Sequence, residues 1–600
     1  MNLPGPKLQS LEAWLRRHGL LLACLALGAA LFVWQLGSAG LVDETPPLFA
    51  ASARGMAESG DWLIPRVNGL PRYDKPPLVY WLMGLLYLLP GQQLWNPLGT
   101  WASALPSAAA SIAVMVVLSA LVARAWGSRL LGLGAALAFA LSPLNLLWGR
   151  LPVSDALFSA LVSISLLLFW RSQDRRQGER HWQGWWQGWV VLGLAVLAKG
   201  PVAVVLVGLT LLSFALSRRE LLLQLQGLRV LPGLAITGAI SLPWYGAALL
   251  VEGQPYWDSF FGYHNLQRFS SVVNDHLQPW WFFGVILVIA SLPASPLLLL
   301  GLHQSLSGRV GTPAQSLSRF AACWLLVVLG FFTLAATKLP SYWIPATPAA
   351  AILITAAAAS TAEPRWRKRA AWGLTLLLAA LLALGLALAP RWFPLVNDPE
   401  MPTLAASVLA SGALQRAALC WALAALLPVL VRGPQRLLAL QLPLVGFVLL
   451  ALQPLWLLGD QLRSAPVRAM ASAAGQHRRA DESLAMVGIL KPSLHYYSRR
   501  VVLYEGIEPA DLSNLADRLS RERRRGQEPA SSSSQPTVLV VIDAGTAQRP
   551  HWQGLGPIEL ARNGLYRLWR LDRRRLERRA AELAAEGVAP TWQLPRPERY

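Results

Sequence analysis

The stretch Val190 to Val207, VVLGLAVLAKGPVAVVLV, is apolar on both sides of a single cation, in Ala198-Lys199-Gly200-Pro201. A lysine inside so hydrophobic a run reads as the end of one lipid-spanning helix and the start of the next. The same grammar recurs along the chain. Of the 600 residues, 54% are hydrophobic and 14% are charged, against roughly 25% charged in an ordinary soluble domain. The mean hydropathy is +0.40. A span needs about 20 apolar residues, and many stretches meet that length. The composition excludes a soluble globule and describes a polytopic membrane protein, with 27 tryptophans to form interfacial belts.

Apolar runs predict about 13 spans, near 19–39, 103–123, 128–147, 154–171, 184–198, 201–217, 230–250, 280–302, 318–337, 343–361, 371–390, 412–431 and 437–458. Short loops on one side carry the basic residues: Lys7, Arg16 and Arg17; Arg124 and Arg129; Arg171, Arg175, Arg176 and Arg180; Arg218 and Arg219; Arg365, Arg367, Lys368 and Arg369; Arg432 and Arg436. By the positive-inside rule this side is cytoplasmic. The formal charge of +21 follows mainly from such loops, with attraction to anionic lipids or substrate as a second cause. No basic patch is interleaved with a recognition motif, so nucleic acid is not an expected partner. Cys24, Cys323 and Cys420 all lie in apolar runs and form no disulfide framework or zinc knuckle. The run Gly19 to Phe32 follows Arg16 and Arg17 without a convincing cleavage site and reads as a retained first helix.

The expected organisation is a helical membrane domain over 1–458, then an α/β domain over 459–600 on the outer side. Long domains cross largely regardless of charge, so the arginine-rich tail does not reverse this topology. Ser483 to Ile489, Thr537 to Ile542 and Leu565 to Leu571 read as strands, and 521–536 (RERRRGQEPASSSSQP) as a disordered insertion. The first outer loop, 40–102, is long enough to be functional. Its Leu78 to Leu89 is too short to span and reads as an interfacial helix.

This topology puts Asp43, Glu44, Lys75, Asp155, Lys199, His264, Arg268 and Lys338 at one mouth of the bundle. Charges beside hydrocarbon are costly and usually functional. Each has a plainer reading. Asp43-Glu44 alone is a solvated helix end, Lys199 and Lys338 alone are snorkelling lysines, and His264 alone is a hydrogen-bonded structural residue. The set argues otherwise. Pro76-Pro77 stiffens the corner that carries Lys75, which suits it to holding a phosphate. His264 and Arg268 share a face if their segment is helical. An imidazole beside the Asp74 carboxylate would suit a divalent metal.

In order, the chain carries Asp43-Glu44; Ser59-Gly60-Asp61-Trp62 with Pro65; Tyr73-Asp74-Lys75-Pro76-Pro77-Leu78 with Tyr80-Trp81; Ala198-Lys199-Gly200-Pro201; Pro243-Trp244-Tyr245; His264-Asn265 with Arg268-Phe269; and Lys338-Leu339 with Tyr342 and Pro345. This ordered set resembles the bacterial aminoarabinose transferase and protein O-mannosyltransferase superfamily (glycosyltransferase family 39 and its relatives), over roughly residues 15–360. The resemblance implies a GT-C fold and transfer of a sugar from a polyprenyl phosphate carrier to a lipid (lipid A-like), glycan or protein acceptor, on the extracytoplasmic side of the bacterial inner membrane. It implies Asp43 as the catalytic acid residue, with Glu44 beside it and Asp155 as a second acid. Lys75 and Arg268 would grip the donor phosphate, with Lys199 lining the pocket and Lys338 a further donor phosphate-binding candidate. Asp74 and His264 resemble a metal-holding pair of some members, so a divalent ion is an optional cofactor and no organic cofactor is expected. One departure stands out. Thr45-Pro46-Pro47 follows the acids where the family commonly has Arg and Tyr. Either Arg54 or Arg72 substitutes, or the donor sits differently.

Cations beside hydrocarbon stabilise a departing phosphate more strongly than in water. A hydroxyl acceptor needs a base, for which Asp43 is the candidate. A phosphate acceptor needs none, and Asp43 would then stabilise positive charge on the sugar. A transporter or flippase of lipid-linked sugars is the alternative. It predicts midplane charges and internal repeats, and the chain has few of the former and no convincing example of the latter.

Overall fold

The computed structural model describes residues 18–173, 184–272, 277–308, 310–361, 363–479, 482–524 and 537–593. Lys7, Arg16, Arg17, Arg175, Arg176 and Arg180 of the orientation argument lie outside these residues. Every expected span coincides with a helix, but not every helix is long enough to cross. Among the described residues eight helices have the length and composition of a span, or nine if Phe282–Ala290 and Ser295–Ser307, bent by 109°, count as one. The bend falls at Ser291–Ala294, where Pro293 can neither donate nor continue a helix. The other four runs form His18–Val33, Arg129–Ala140, Trp185–Lys199 and Val202–Arg218, helices of 12 to 17 residues. The expected number of 13 crossings is therefore not established by length and composition. The reason is that prolines, glycines and Lys199 itself end helices inside the apolar runs.

The helix ends follow local chemistry. Thr312 and Gln315 form a reciprocal capping box before Pro313–Leu334. Gly60, at φ +75°, closes Pro46–Ser59. At the centre lies Pro340–Ala359, whose apolar window is 83% buried, against 28% for the lipid-facing Arg365–Leu395. Its alanines permit close approach. A methyl group on Gly301 would lie 2.0 Å from the Leu353 carbonyl oxygen, so that crossing requires glycine.

The last long helix runs from Gln435 to His477. The expected boundary at 458/459 thus falls inside a helix. Beyond it Val467, Met470, Ala471 and Ala474 turn from lipid to the sheet of the C-terminal domain. That sheet has five strands, β1 (Ser483–Val487), β2 (Val502–Glu505), β3 (Thr537–Asp543), β4 (Ile558–Asn563) and β5 (Tyr566–Asp572), in the order β2-β1-β3-β5-β4. β1 is parallel to β2 and β3, while β5 is antiparallel to β3 and β4. The central strands were readable as apolar runs. β2 has four residues and β4 is largely exposed, and neither stands out by pattern. Helix Pro509–Arg524 includes the first residues of the expected insertion 521–536, and the rest lies outside the described residues.

Candidate active site

The outer loop is ordered rather than slack. Helix Pro46–Ser59, a two-stranded hairpin (Arg66–Val67 with Leu70–Pro71) and helix Leu78–Tyr87 fold onto one another. Phe49 stacks on Tyr80 at 5.3 Å, and the Arg72 guanidinium lies 4.9 Å over the Phe49 ring. This platform holds Asp74: Arg72 Nη2 donates to its carboxylate at 2.7 Å and the Tyr80 hydroxyl at 3.2 Å. Burial alone would raise the Asp74 pKa, but Arg72 and then Lys75 outweigh it and hold the carboxyl well below the usual range. Lys75 Nζ donates to the Asp74 carbonyl at 2.8 Å and lies 3.7 Å from its carboxylate. Burial depresses the Lys75 ammonium to about 8, with Arg268 and Lys199 adding to the effect and Asp74 and Asp155 opposing it.

Asp155 and Lys199 meet at 2.7 Å. Asp155 lies in the first turn of Ser154–Ser172 and Lys199 ends Trp185–Lys199. Each charge therefore occupies the helix end whose dipole favours it. Lys199 Nζ also lies 5.4 Å from the Phe158 ring and 5.3 Å from that of Tyr342. Residues Trp257–Gln267 form a π-helix that continues into Arg268–Ser270, so His264 and Arg268 do lie on one helical segment. Burial, then the charge of Lys75, lowers His264 to about 3, leaving a neutral imidazole. Arg268 Nε is buried without a hydrogen-bond partner among the described residues. Backbone bonds from Ala336 to Phe269 (2.9 Å) and from Thr337 to Arg268 (3.3 Å) bring the stretch before Lys338 alongside. Lys338 is 8% exposed, and no hydrogen bond or ion pair holds it among the described residues.

Lys75, Asp74, Arg268, His264, Lys199 and Asp155 thus share one electrostatic neighbourhood. Asp43 is held elsewhere. Ser493 of the C-terminal domain donates from its backbone N–H (2.8 Å) and its hydroxyl (2.7 Å) to the two carboxylate oxygens. Its charged neighbours are Lys491 and Arg463. Burial raises Asp43 to about 6 against these opposing effects. Glu44 is exposed and makes no hydrogen bond or ion pair among the described residues.

Sequence reasoning missed Ser493, Lys491, Glu400 and Arg463. Lys491-Pro492-Ser493 follows β1 shortly after its end, and loops after parallel strands are common ligand sites. That was the available signal. Arg54 donates to the Tyr496 carbonyl at 2.8 Å and lies 4.1 Å over its ring, which commits it to the C-terminal domain. Arg72 is committed to Asp74. The metal reading meets a similar obstacle. Asp74 and the unpartnered His264 Nδ1 are neighbours, but Asp74 already accepts from Arg72 and Tyr80. No third His, Cys, Asp or Glu completes a cage among the described residues. The described residues alone do not fit a resident ion.

The family model for dolichyl-phosphate-mannose-protein mannosyltransferase matches residues 74–244, and that for the cyanobacterial RgtA-type glycosyltransferase C-terminal domain matches 477–587. The undecaprenyl phosphate-alpha-4-amino-4-deoxy-L-arabinose arabinosyl transferase of Pseudomonas paraeruginosa is 31% identical over 377 residues, 62% of this chain and 64% of the relative. That of Pseudomonas aeruginosa is 30% identical over 343 residues, 56% of this chain and 59% of the relative. The chain therefore spans about three fifths of the length of these curated relatives. The crystal structure of ArnT from Cupriavidus metallidurans bound to undecaprenyl phosphate shares the fold, with a TM-score of 0.75 at 21% identity, covering 92% of this chain and 98% of that one. On these matches, the chain is a multi-span membrane protein that shares the fold of that structure and is similar, over part of its length, to the aminoarabinose transferases and to the dolichyl-phosphate-mannose-protein mannosyltransferase family.

Proposed function

We propose that this protein is a glycosyltransferase that moves a sugar from a polyprenyl phosphate carrier to a lipid acceptor of the lipid A type. The site and the C-terminal domain would face the extracytoplasmic side of the bacterial inner membrane. One observation carries the reading: the mouth of the bundle gathers more cations than its acids neutralise. Asp74 is satisfied by Arg72, and Asp155 by Lys199. Lys75 is 3.7 Å from a carboxylate that Arg72 already binds, and the buried Arg268 Nε has no partner among the described residues. Buried charges left in excess call for an anion, and the phosphate of a lipid carrier supplies one at this depth.

In the reaction the bond from the anomeric carbon to the phosphate oxygen breaks and its electron pair stays on the phosphate. Lys75 and Arg268 stabilise that charge, with Lys199 held beside them. The acceptor oxygen attacks the opposite face, so one displacement inverts the anomeric centre. If the acceptor is a hydroxyl, its proton passes to Asp43, which must be ionised beforehand. If it is a phosphate, Asp43 stabilises the developing positive sugar. The aminopentose named in the relatives is the first donor to try. None of the relatives named above is a transporter or flippase.

The test is transfer of radiolabelled sugar from undecaprenyl phosphate to lipid A in proteoliposomes, with translocation of the same donor measured in parallel. Wild-type protein should transfer, and Asp43→Asn should insert normally and not transfer. Translocation without transfer, or a fully active Asp43→Asn, would reject the proposal.

A further inference from the structure

We propose that Ser493, brought in by the C-terminal domain, is a positioning residue for Asp43, which makes that domain a working part of the site. This deepens the reading above and rests on Asp43 being its acid. The contact spans 450 positions of sequence and satisfies both carboxylate oxygens at once, one from the amide and one from the hydroxyl. Each oxygen keeps a further lone pair for substrate.

The groups facing Asp43 show why the serine matters. Lys491, Tyr504 and Tyr566 come from the C-terminal domain, Arg463 from the helix leading into it, and Glu400 from the loop after Phe393–Leu395. Both cations are already paired with Glu400, Lys491 at 2.9 Å and Arg463 at 2.7 Å. Among the described residues Ser493 is then the direct donor to Asp43.

The seat of Ser493 is fixed independently of Asp43. The Tyr497 hydroxyl accepts from the Leu41 backbone N–H at 2.9 Å and donates to the Leu98 carbonyl at 3.0 Å. The Tyr87 and Tyr496 hydroxyls share a bond of 2.9 Å. Asn68 exchanges two hydrogen bonds with Val502, of 2.8 and 2.9 Å. Helix Ser493–Ser498 is thus clamped to the outer loop from several sides, and Ser493 itself is fully buried. A neutral donor in such a place favours the ionised carboxylate and fixes its orientation. Both are what a base or an ionic stabiliser needs.

The experiment uses the full-length protein in nanodiscs. Dicyclohexylcarbodiimide reacts with protonated carboxyls, and peptide mass spectrometry reads labelling of Asp43 from pH 4 to pH 9 without any donor present. Losing the hydroxyl in Ser493→Ala should raise the half-labelling pH by about one pH unit, since a hydrogen bond to a charged group is removed. Ser493→Thr, which keeps the hydroxyl, should label like wild type. Transfer assays on the same preparations should show a fall in kcat, an acid limb moved to higher pH and an unchanged KM for donor. Identical labelling midpoints in wild type and Ser493→Ala would overturn the proposal. So would no Asp43 labelling in Ser493→Ala at any pH. A midpoint that shifts as expected in a protein whose Asp43→Asn variant is fully active would leave the clamp standing and reject the functional reading instead.

Discussion

Lys75 offers a test in which charge and titration can be separated. Its ammonium is buried and depressed to about 8 in the free protein. The charged form, which binds phosphate, therefore exists below about pH 8 and disappears above it. Because kcat/KM reports groups of the free enzyme, the wild-type profile should fall above pH 8, roughly tenfold per pH unit. Asp43, raised to about 6, should set the acid limb, with activity rising as pH passes 6. Lys75→Arg keeps the charge but cannot titrate in this range, so the alkaline limb should vanish while the plateau stays within about tenfold of wild type. Lys75→Met removes a charge-assisted contact of roughly 1.5–3 kcal/mol, a loss of about 10- to 150-fold below pH 8 that narrows above it as the wild-type ammonium loses its proton. Neither change should unfold the loop, because Asp74 keeps the closer Arg72 at 2.7 Å. Initial rates of sugar transfer in proteoliposomes from pH 5 to pH 9.5 measure all three proteins. An alkaline limb near pH 8 that persists in Lys75→Arg would refute the reasoning.

Asp155→Ala leaves the Lys199 ammonium without its partner, with both side chains only 17% exposed. The loss should be about 3 kcal/mol and appear as a clear drop in thermal stability, which Asp155→Leu with Lys199→Met should largely recover without restoring transfer. Asp460 accepts both Arg468 nitrogens at 2.7 Å and the Gly40 amide at 2.9 Å, tying the end of the first apolar run to the C-terminal domain. Asp460→Ala should destabilise the protein by about 3 kcal/mol and speed limited proteolysis between 459 and 483; unchanged proteolysis would show that the joint is not structural.

Most of the charged cluster was legible because its members break local rules. Lys199 interrupts an apolar run, Asp155 opens one, and Lys75 stands before two prolines. A charge at the wrong hydropathy is visible from sequence alone. The convergence of Lys75, Asp155, Lys199 and Arg268 followed from counting which helix ends share a face. Ser493 breaks no such rule. It is a small neutral residue whose role arises when the C-terminal domain docks, and its one local trace is its place in the loop after a parallel strand. Glu44 shows the converse: it neighbours Asp43 in sequence, yet its side chain faces solvent. The span number is left open for a physical reason as well. Hydropathy sees apolar content, whereas helix length is cut by proline, glycine and the central lysine. The sheet was legible where its strands are buried on both faces, as in Thr537–Asp543, and not at its edges.

The central claim is that cations distant in sequence close on a single phosphate. A double-mutant cycle on Lys75 and Arg268 tests it most directly, with binding of undecaprenyl phosphate to the purified protein as the measured quantity. Sharing one phosphate predicts that each single substitution weakens binding at least tenfold and that the pair is non-additive by about 0.5–3 kcal/mol. Strict additivity, or binding unchanged by either substitution, would contradict it.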